Sequence, residues 1–307
     1  MAAPAPPSTR PARRLAPYAF LTPAVSLFAL FFALPIGYAI YLSFRAVHIS
    51  GLGLGSHART EVWAGLSNYT SALTDPELLA GSGRTLLYGA LLVPTMLGGA
   101  LVLALLLDTP RVRLRPFSRL AIFLPYAVPG IVASLLWGFL YLPTVSPGYF
   151  LLTKAGMSGP DLLHGNGLFV ALANIAVWGG TGFNMIVIYT SLRAIPTDLY
   201  EAARLDGCSE LQIALKIKIP MVMPSLVLTF FFSMIATLQV FSEPMTLKPM
   251  TNTMSSTWSP LMKVYRDAFV QGDIYSAAAT SVVIAAATLL LSFGFLKLVN
   301  KRSDGGN

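Results

Sequence analysis

Six uninterrupted apolar runs, at residues 19–44, 86–107, 120–142, 168–192, 221–241 and 277–296, contain no Asp, Glu, Lys, Arg or His. Each supplies the ~20 residues that carry a helix across ~30 Å of hydrocarbon. Strands of a membrane barrel would instead alternate over about 10 residues. The chain is therefore expected to be all-α, a polytopic membrane protein with six transmembrane helices. Composition agrees: only 11% of the 307 residues are charged, against about 25% in soluble domains.

Lys and Arg set the orientation. Arg10, Arg13 and Arg14, then Arg111, Arg113, Arg115 and Arg119, then Arg193, Arg204, Lys216 and Lys218, and finally Lys297, Lys301 and Arg302 all fall on one side of the layout. The positive-inside rule makes that side cytoplasmic, with both termini on it. The net charge of +8 is then accounted for without nucleic acid. The first run follows a basic stretch, but it is too long for a signal-peptide core and five further runs follow, so it reads as an uncleaved helix. Residues 1–14, rich in Ala and Pro, are expected to be a disordered tail, 15–300 the membrane domain with its last span reaching about 299, and 301–307 a second tail. The single Cys208 excludes an intrachain disulfide and a cysteine metal cage.

The cytoplasmic connection 193–220 reads as two short helices meeting at a glycine. Ile195-Pro196 interrupts the fourth span, because proline disfavours helix before it. Asp198 with Glu201 resembles a capping box, and so does Ser209 with Gln212. Between them Gly207 suits the left-handed position just past a helix end. Ile213 and Ile217 share a face, Lys216 and Lys218 sit near the second helix's C-terminus, and Pro220 is expected to end it. In a soluble protein this would suggest DNA binding, but spans bracket it on both sides. A structural interfacial loop is the plain alternative, and a docking knob for a cytosolic partner the functional one.

Glu201-Ala202-Ala203, Gly207, Ile217 and Ile219-Pro220 resemble, in type and spacing, the EAA loop of permease subunits in binding-protein-dependent ABC importers. Ile219 stands where that family usually has Leu. The runs Phe123–Pro129 with Trp137, Trp178–Met185 and Gln239–Pro244 are similar to the family's third, fourth and fifth spans, of the carbohydrate type that includes first permeases for maltose and glycerol phosphate. The resemblance implies a bacterial-type inner-membrane protein paired with a second, homologous permease. It also implies two copies of a cytosolic ATPase, and a binding protein, free or lipid-anchored, that delivers a sugar. Glu201, Ala202, Ala203, Gly207, Ile217 and Pro220 would then couple ATPase closure to the helices. ATP and Mg²⁺ would belong to the ATPase, since no G-x-x-x-x-G-K-[ST] loop occurs here. The chain would be no enzyme.

For the substrate path, Ser225, Thr229, Ser233 and Thr237 form a hydroxyl stripe on one face of the fifth span, with Gln239 beyond it. Such a stripe serves a sugar path or helix packing equally well. In the fourth span, Asn174, Trp178 and Asn184 are polar or amphipathic at membrane depth, while Glu243 is expected in solvent at the outer end. A phosphorylated cargo would favour a cation along the path, and the spans offer none. An ion-coupled carrier would need ionisable groups inside the membrane. A membrane-embedded enzyme would need a catalytic motif that is absent. Both therefore rank behind the importer reading.

Overall fold

The structure is a computed structural model that describes residues 12–49, 59–109 and 112–304. Arg10, Arg111, most of the expected N-terminal tail (1–11) and residues 305–307 lie outside the described residues. Helix begins at Ala12, inside the expected tail. α1 (Ala12–Phe28) passes through a π-turn at 29–33 into α2 (Leu34–Ser43). The π-turn directly precedes Pro35, whose missing N–H and ring would otherwise clash with the preceding turn.

An outer hairpin follows, β1 (Arg45–Ile49) antiparallel to β2 (Arg59–Trp63), and then α3 (Ser67–Thr74). The second span, α4 (Pro76–Asp108), starts ten residues before its apolar run. Asp75 caps it, accepting from the Glu77 and Leu78 amides at 2.7 and 3.3 Å, and Pro76 fits the first turn where no N–H is needed.

The third span is not one helix over 120–142. α5 (Arg115–Phe123) and a 3₁₀ turn at 124–127 meet α6 (Gly130–Tyr141) at 94°. Pro125 and Pro129 are the cause: Val128, ahead of a proline, is extended (φ −77°, ψ 125°). After α7 (Pro147–Lys154), the fourth span α8 (Gly167–Arg193) is one continuous helix. α9 (Thr197–Leu205) and α10 (Glu210–Ile213) follow; a π-turn at 214–218 and α11 (Ile219–Met221) then lead to α12 (Met223–Leu238).

Pro220 does not end a helix, contrary to expectation. The π-turn before it opens the ring of hydrogen bonds, as at Pro35, and the 64° bend falls at Val222 (φ −91°, ψ 5°) instead. α13 (Ser242–Leu247) and α14 (Pro260–Tyr265), with intervening turns, occupy the outer connection, and α15 (Ile274–Asp304) completes the chain. Its helix thus runs through most of the expected C-terminal tail.

α4 lies along α8, with α12 against both. One apolar cluster fills the outer half, around Tyr88, Leu172, Trp258 and Met262. A second fills the half that carries segment 193–220, around Ala104, Ile188, Leu192 and Ile213. Gly182 lets α8 meet α5 backbone to backbone: a Cβ there would stand 2.2 Å from the Ile122 carbonyl oxygen. Large side chains of α1 and the π-turn after it, such as Phe20, Phe31 and Phe32, lie on the outside of the bundle, as suits a lipid-facing helix.

Candidate functional site

Segment 193–220 folds as two short helices with distinct inner and outer faces. Gly207 has φ +79°, the conformation that ends α9 at no Cβ cost. At the start of α10 the capping box is present: Ser209 Oγ accepts from the Gln212 amide at 3.3 Å, and the Ser209 amide donates to Gln212 Oε1 at 2.8 Å. The first expected box is absent. Pro196 is the N-cap of α9, with no side-chain cap bond, and Asp198 lies within the first turn, where its charge still complements the helix dipole.

The two alanines part company. Ala203 is buried among Ile213, Leu192 and Tyr200, while Ala202 is exposed with Glu201. Ile217 packs on the same inner cluster, and Pro220 is exposed. Arg204 Nε donates to Glu210 Oε1 at 2.9 Å across the turn, a bond that raises the guanidinium pKa. The outer face carries Leu199, Leu211 and Leu205, the last 89% exposed.

Lys218 is not a solvated helix-end charge. It is 6% exposed, and its Nζ donates to Oδ2 of Asp108, itself 8% exposed, at 2.5 Å. The ammonium also lies 4.8 Å from the Tyr200 ring centre. Arg193 Nη1 approaches Asp108 Oδ1 at 3.9 Å from a largely exposed position. Burial first, and then the Asp108 charge, push the Tyr200 hydroxyl pKa up. The last residue of the second span is therefore the anchor for the whole knob. Nothing local in the sequence signals it, because the partners are 110 positions apart.

A cavity of about 480 Å³ lies between α4, α8, α12 and the broken third span. Of the eight residues expected along a path, it brings together Asn184, Ser233, Thr237 and Gln239. The hydroxyl stripe divides. Ser225 shares a 2.5 Å hydrogen bond with Ser191 of α8, and Thr229 donates to the Ser225 and Leu226 carbonyls of its own helix, so this half packs. Asn174 donates to the Tyr141 hydroxyl at 2.8 Å, and Trp178 stands edge-on to Trp137; both serve the outer core.

Asn184 is 4% exposed. Its Nδ2 donates to the Gly180 carbonyl at 3.0 Å, which fixes the amide orientation, and its Oδ1 has no hydrogen-bond partner. Glu243, expected in open solvent, is only partly exposed. It lines the cavity half-buried, with Oε1 3.6 Å from where a Cβ on Gly130 would sit. Aromatic rings complete the wall, including Tyr126 stacked on Phe183 at 4.9 Å.

A second ionic cluster, also unforeseen, closes the outer side. Lys263 pairs with Asp267 and, at 3.0 Å, with Asp75; Arg266 forks onto Glu77 at 2.6 and 3.0 Å and reaches Asp267 at 2.8 Å. It ties α14 and the turn after it to the start of α4. Burial raises the Asp75 pKa, but bonds from Lys263 and the Glu77 and Leu78 amides outweigh it and hold the carboxyl below its usual value.

Residues 99–304 match the family described as "Binding-protein-dependent transport system inner membrane component". The chain is 30% identical over 292 residues to the sn-glycerol-3-phosphate transport system permease protein UgpA of Brucella abortus, covering 94% of this chain and 96% of that protein. It is 27% identical over 300 residues to the diacetylchitobiose uptake system permease protein NgcF of Streptomyces coelicolor, covering 94% and 83%. Among solved structures, a bacterial ABC transporter involved in the import of the acidic polysaccharide alginate shares the fold. Its TM-score is 0.80 at 18% identity, over 94% of this chain and 96% of that one.

Proposed function

Because the chain belongs to the family of binding-protein-dependent transport system inner membrane components, we propose that it pairs with a second, similar permease to form the path of an ATP-driven sugar importer. It is a multi-pass inner-membrane permease, a transport component that is not itself catalytic. In this reading an extracytoplasmic binding protein or lipoprotein hands over a sugar or oligosaccharide. The knob 193–220 and both termini face the cytoplasm. Two copies of a cytosolic ATPase hold ATP and Mg²⁺, and one of them grips this knob through Glu201 and Ala202. Gly207 sets the angle between its helices, and Ala203 and Ile217 seat it against the spans. The sugar path runs through the cavity at Asn184, Ser233, Thr237 and Gln239, whose hydroxyls and amides suit a hydroxylated cargo.

One observation carries the reading: the knob's inner face is locked to the spans through Asp108 and Lys218, while its outer face leaves Leu205 almost fully exposed. An apolar patch held rigidly out from a membrane domain needs a partner. The test is a mild-detergent pull-down of the tagged chain with partners identified by mass spectrometry. A second six-span permease and a phosphate-loop ATPase are expected, and Leu205→Glu should release the ATPase alone. A chain that purifies only with itself, or a Leu205→Glu chain that retains the ATPase, refutes the docking role.

A further inference from the structure

The cavity's chemistry goes beyond a general fit to hydroxylated cargo. Taking the cavity as the translocation path, as above, we infer that Glu243 makes it a charge filter, admitting neutral or cationic hydroxylated cargo and turning away phosphorylated or carboxylated cargo.

Three observations converge. Among the residues lining the cavity there is no Lys, Arg or His, and Glu243 is the one charged side chain. Glu243 has no ion-pair partner among the described residues, so no neighbouring cation cancels it. The positive features nearest it are the N-termini of α6, at Gly130, and of the six-residue α13, in whose first turn it stands; such termini carry only partial charges that fade within a turn, so neither supplies a counter-ion.

The third observation is Asn184. Its Oδ1 is buried and unpartnered, and a buried acceptor of this kind calls for a donor. One of the two N–H groups on its Nδ2 is committed to Gly180. Thr237 likewise spends its proton on the Ser233 carbonyl, at 2.7 Å. Beside Ser233, Ser242 and Gln239, which can both donate and accept, the cavity wall thus carries two acceptors, Asn184 Oδ1 and Thr237 Oγ1. Hydroxyl and ammonium groups satisfy them; phosphate and carboxylate oxygens, which are acceptors themselves, do not. The faces of Tyr126 and Phe183 complement the C–H face of a sugar ring or a cation rather than an anion. This sets the chain apart from relatives named for sn-glycerol 3-phosphate and from a structure named for an acidic polysaccharide.

The test needs no knowledge of the natural cargo. Ser233→Cys is placed in the complete transporter, and its modification is timed with methanethiosulfonate reagents carrying a trimethylammonium or a sulfonate group. Rates are normalised to a free thiol, with the reaction of Cys208 in the parent subtracted. A full charge within about 10 Å at an effective dielectric near 20 changes local ion concentration roughly tenfold. The cationic reagent should therefore be favoured at least ~tenfold, and Glu243→Gln should abolish the preference.

Equal normalised rates in the Ser233→Cys chain would overturn the filter. So would a preference that survives Glu243→Gln, since the charge would then come from elsewhere. If neither reagent reaches the cysteine in any nucleotide state, the cavity is no path, and the reading of the previous subsection falls with the filter. ATP-driven uptake of sn-glycerol 3-phosphate by the wild-type complex is expected to be absent, and its presence would refute the exclusion of anions while leaving the permease role intact.

Discussion

Asp108→Asn keeps the shape of the anchoring side chain and removes its charge, leaving the Lys218 ammonium buried without a counter-ion. Breaking one partner of a buried pair costs about 3–5 kcal/mol. Two features place this site at the lower end. The Tyr200 ring 4.8 Å away retains roughly 1 kcal/mol of cation–π attraction. The Arg193 contact at 3.9 Å is solvent-facing and is worth about 0–1 kcal/mol.

The expected loss is then about 3 kcal/mol, a change of roughly a hundredfold in the ratio of docked to undocked knob. An undocked knob can still bind an ATPase but no longer moves α4. In the reconstituted complex ATP hydrolysis should persist while uptake per ATP collapses. Labelling of Cys208, half-buried against the same cluster, should speed up. Replacing both partners, Asp108→Asn with Lys218→Met, removes the orphaned charge and should restore most of the uptake, since apolar replacements of buried pairs are often neutral. An Asp108→Asn complex that matches wild type in uptake per ATP and in Cys208 labelling would refute the reasoning.

Two further outcomes are expected. Gly207→Pro cannot adopt φ +79°, because proline fixes φ near −65°; uptake should fall with all six spans still inserted, and normal uptake would dismiss the knob as a coupling element. The Asp75 carboxyl is depressed in the fold, so its stabilisation is present above its unfolded pKa of ~3.9 and is lost as pH falls through the folded value. Asp267 and Asp75 raise Lys263 above its usual value despite burial, so its contribution fades only as pH rises through that raised value, beyond about 10. The outer cluster should therefore loosen in acid below about pH 4, seen as a falling thermal midpoint that Asp75→Asn removes, and an unchanged acid midpoint in that variant would discount it.

What could be read from the sequence follows from what each inference needed. The apolar spans were legible because hydrocarbon tolerates so little else, four of them as helices long enough to cross and two as bent pairs, and Gly207 and the Ser209–Gln212 box because their signals are local. The hydroxyl stripe was half legible. Its period put four residues on one face, but whether a hydroxyl packs or lines a path depends on the neighbouring helix: Ser225 meets Ser191, whereas Ser233 meets open space. Lys218 was misread for the same reason. Its position at a helix end has a sufficient local explanation, and only the fold brings Asp108 to it. Ala202 and Ala203 are identical in propensity and separate only when the inner face is known.

The misplacement of Glu243 has a more specific cause, and it explains where the cavity lies. Backbone that leaves the helix inside a membrane survives only where protein buries it or a water-filled cavity meets it. The third span leaves the helix at Val128, and the fifth stops at Leu238, three residues before its apolar run ends, with Gln239 at φ −101° and Phe241 at φ −144°. Both irregular stretches face the same space, where Pro125, Val128 and Gly130 look across to Gln239, Phe241 and Glu243. Had α12 continued to residue 241, its axis would have carried Glu243 outward to solvent. Because it stops at Leu238 and α13 starts again at Ser242, the carboxylate turns back beside Gly130. Continuous apolarity had concealed both breaks, although Pro125 and Pro129 announce the first. The polar stripe points to the right helices, but the breaks decide which of its residues border the cavity and which single charge joins them.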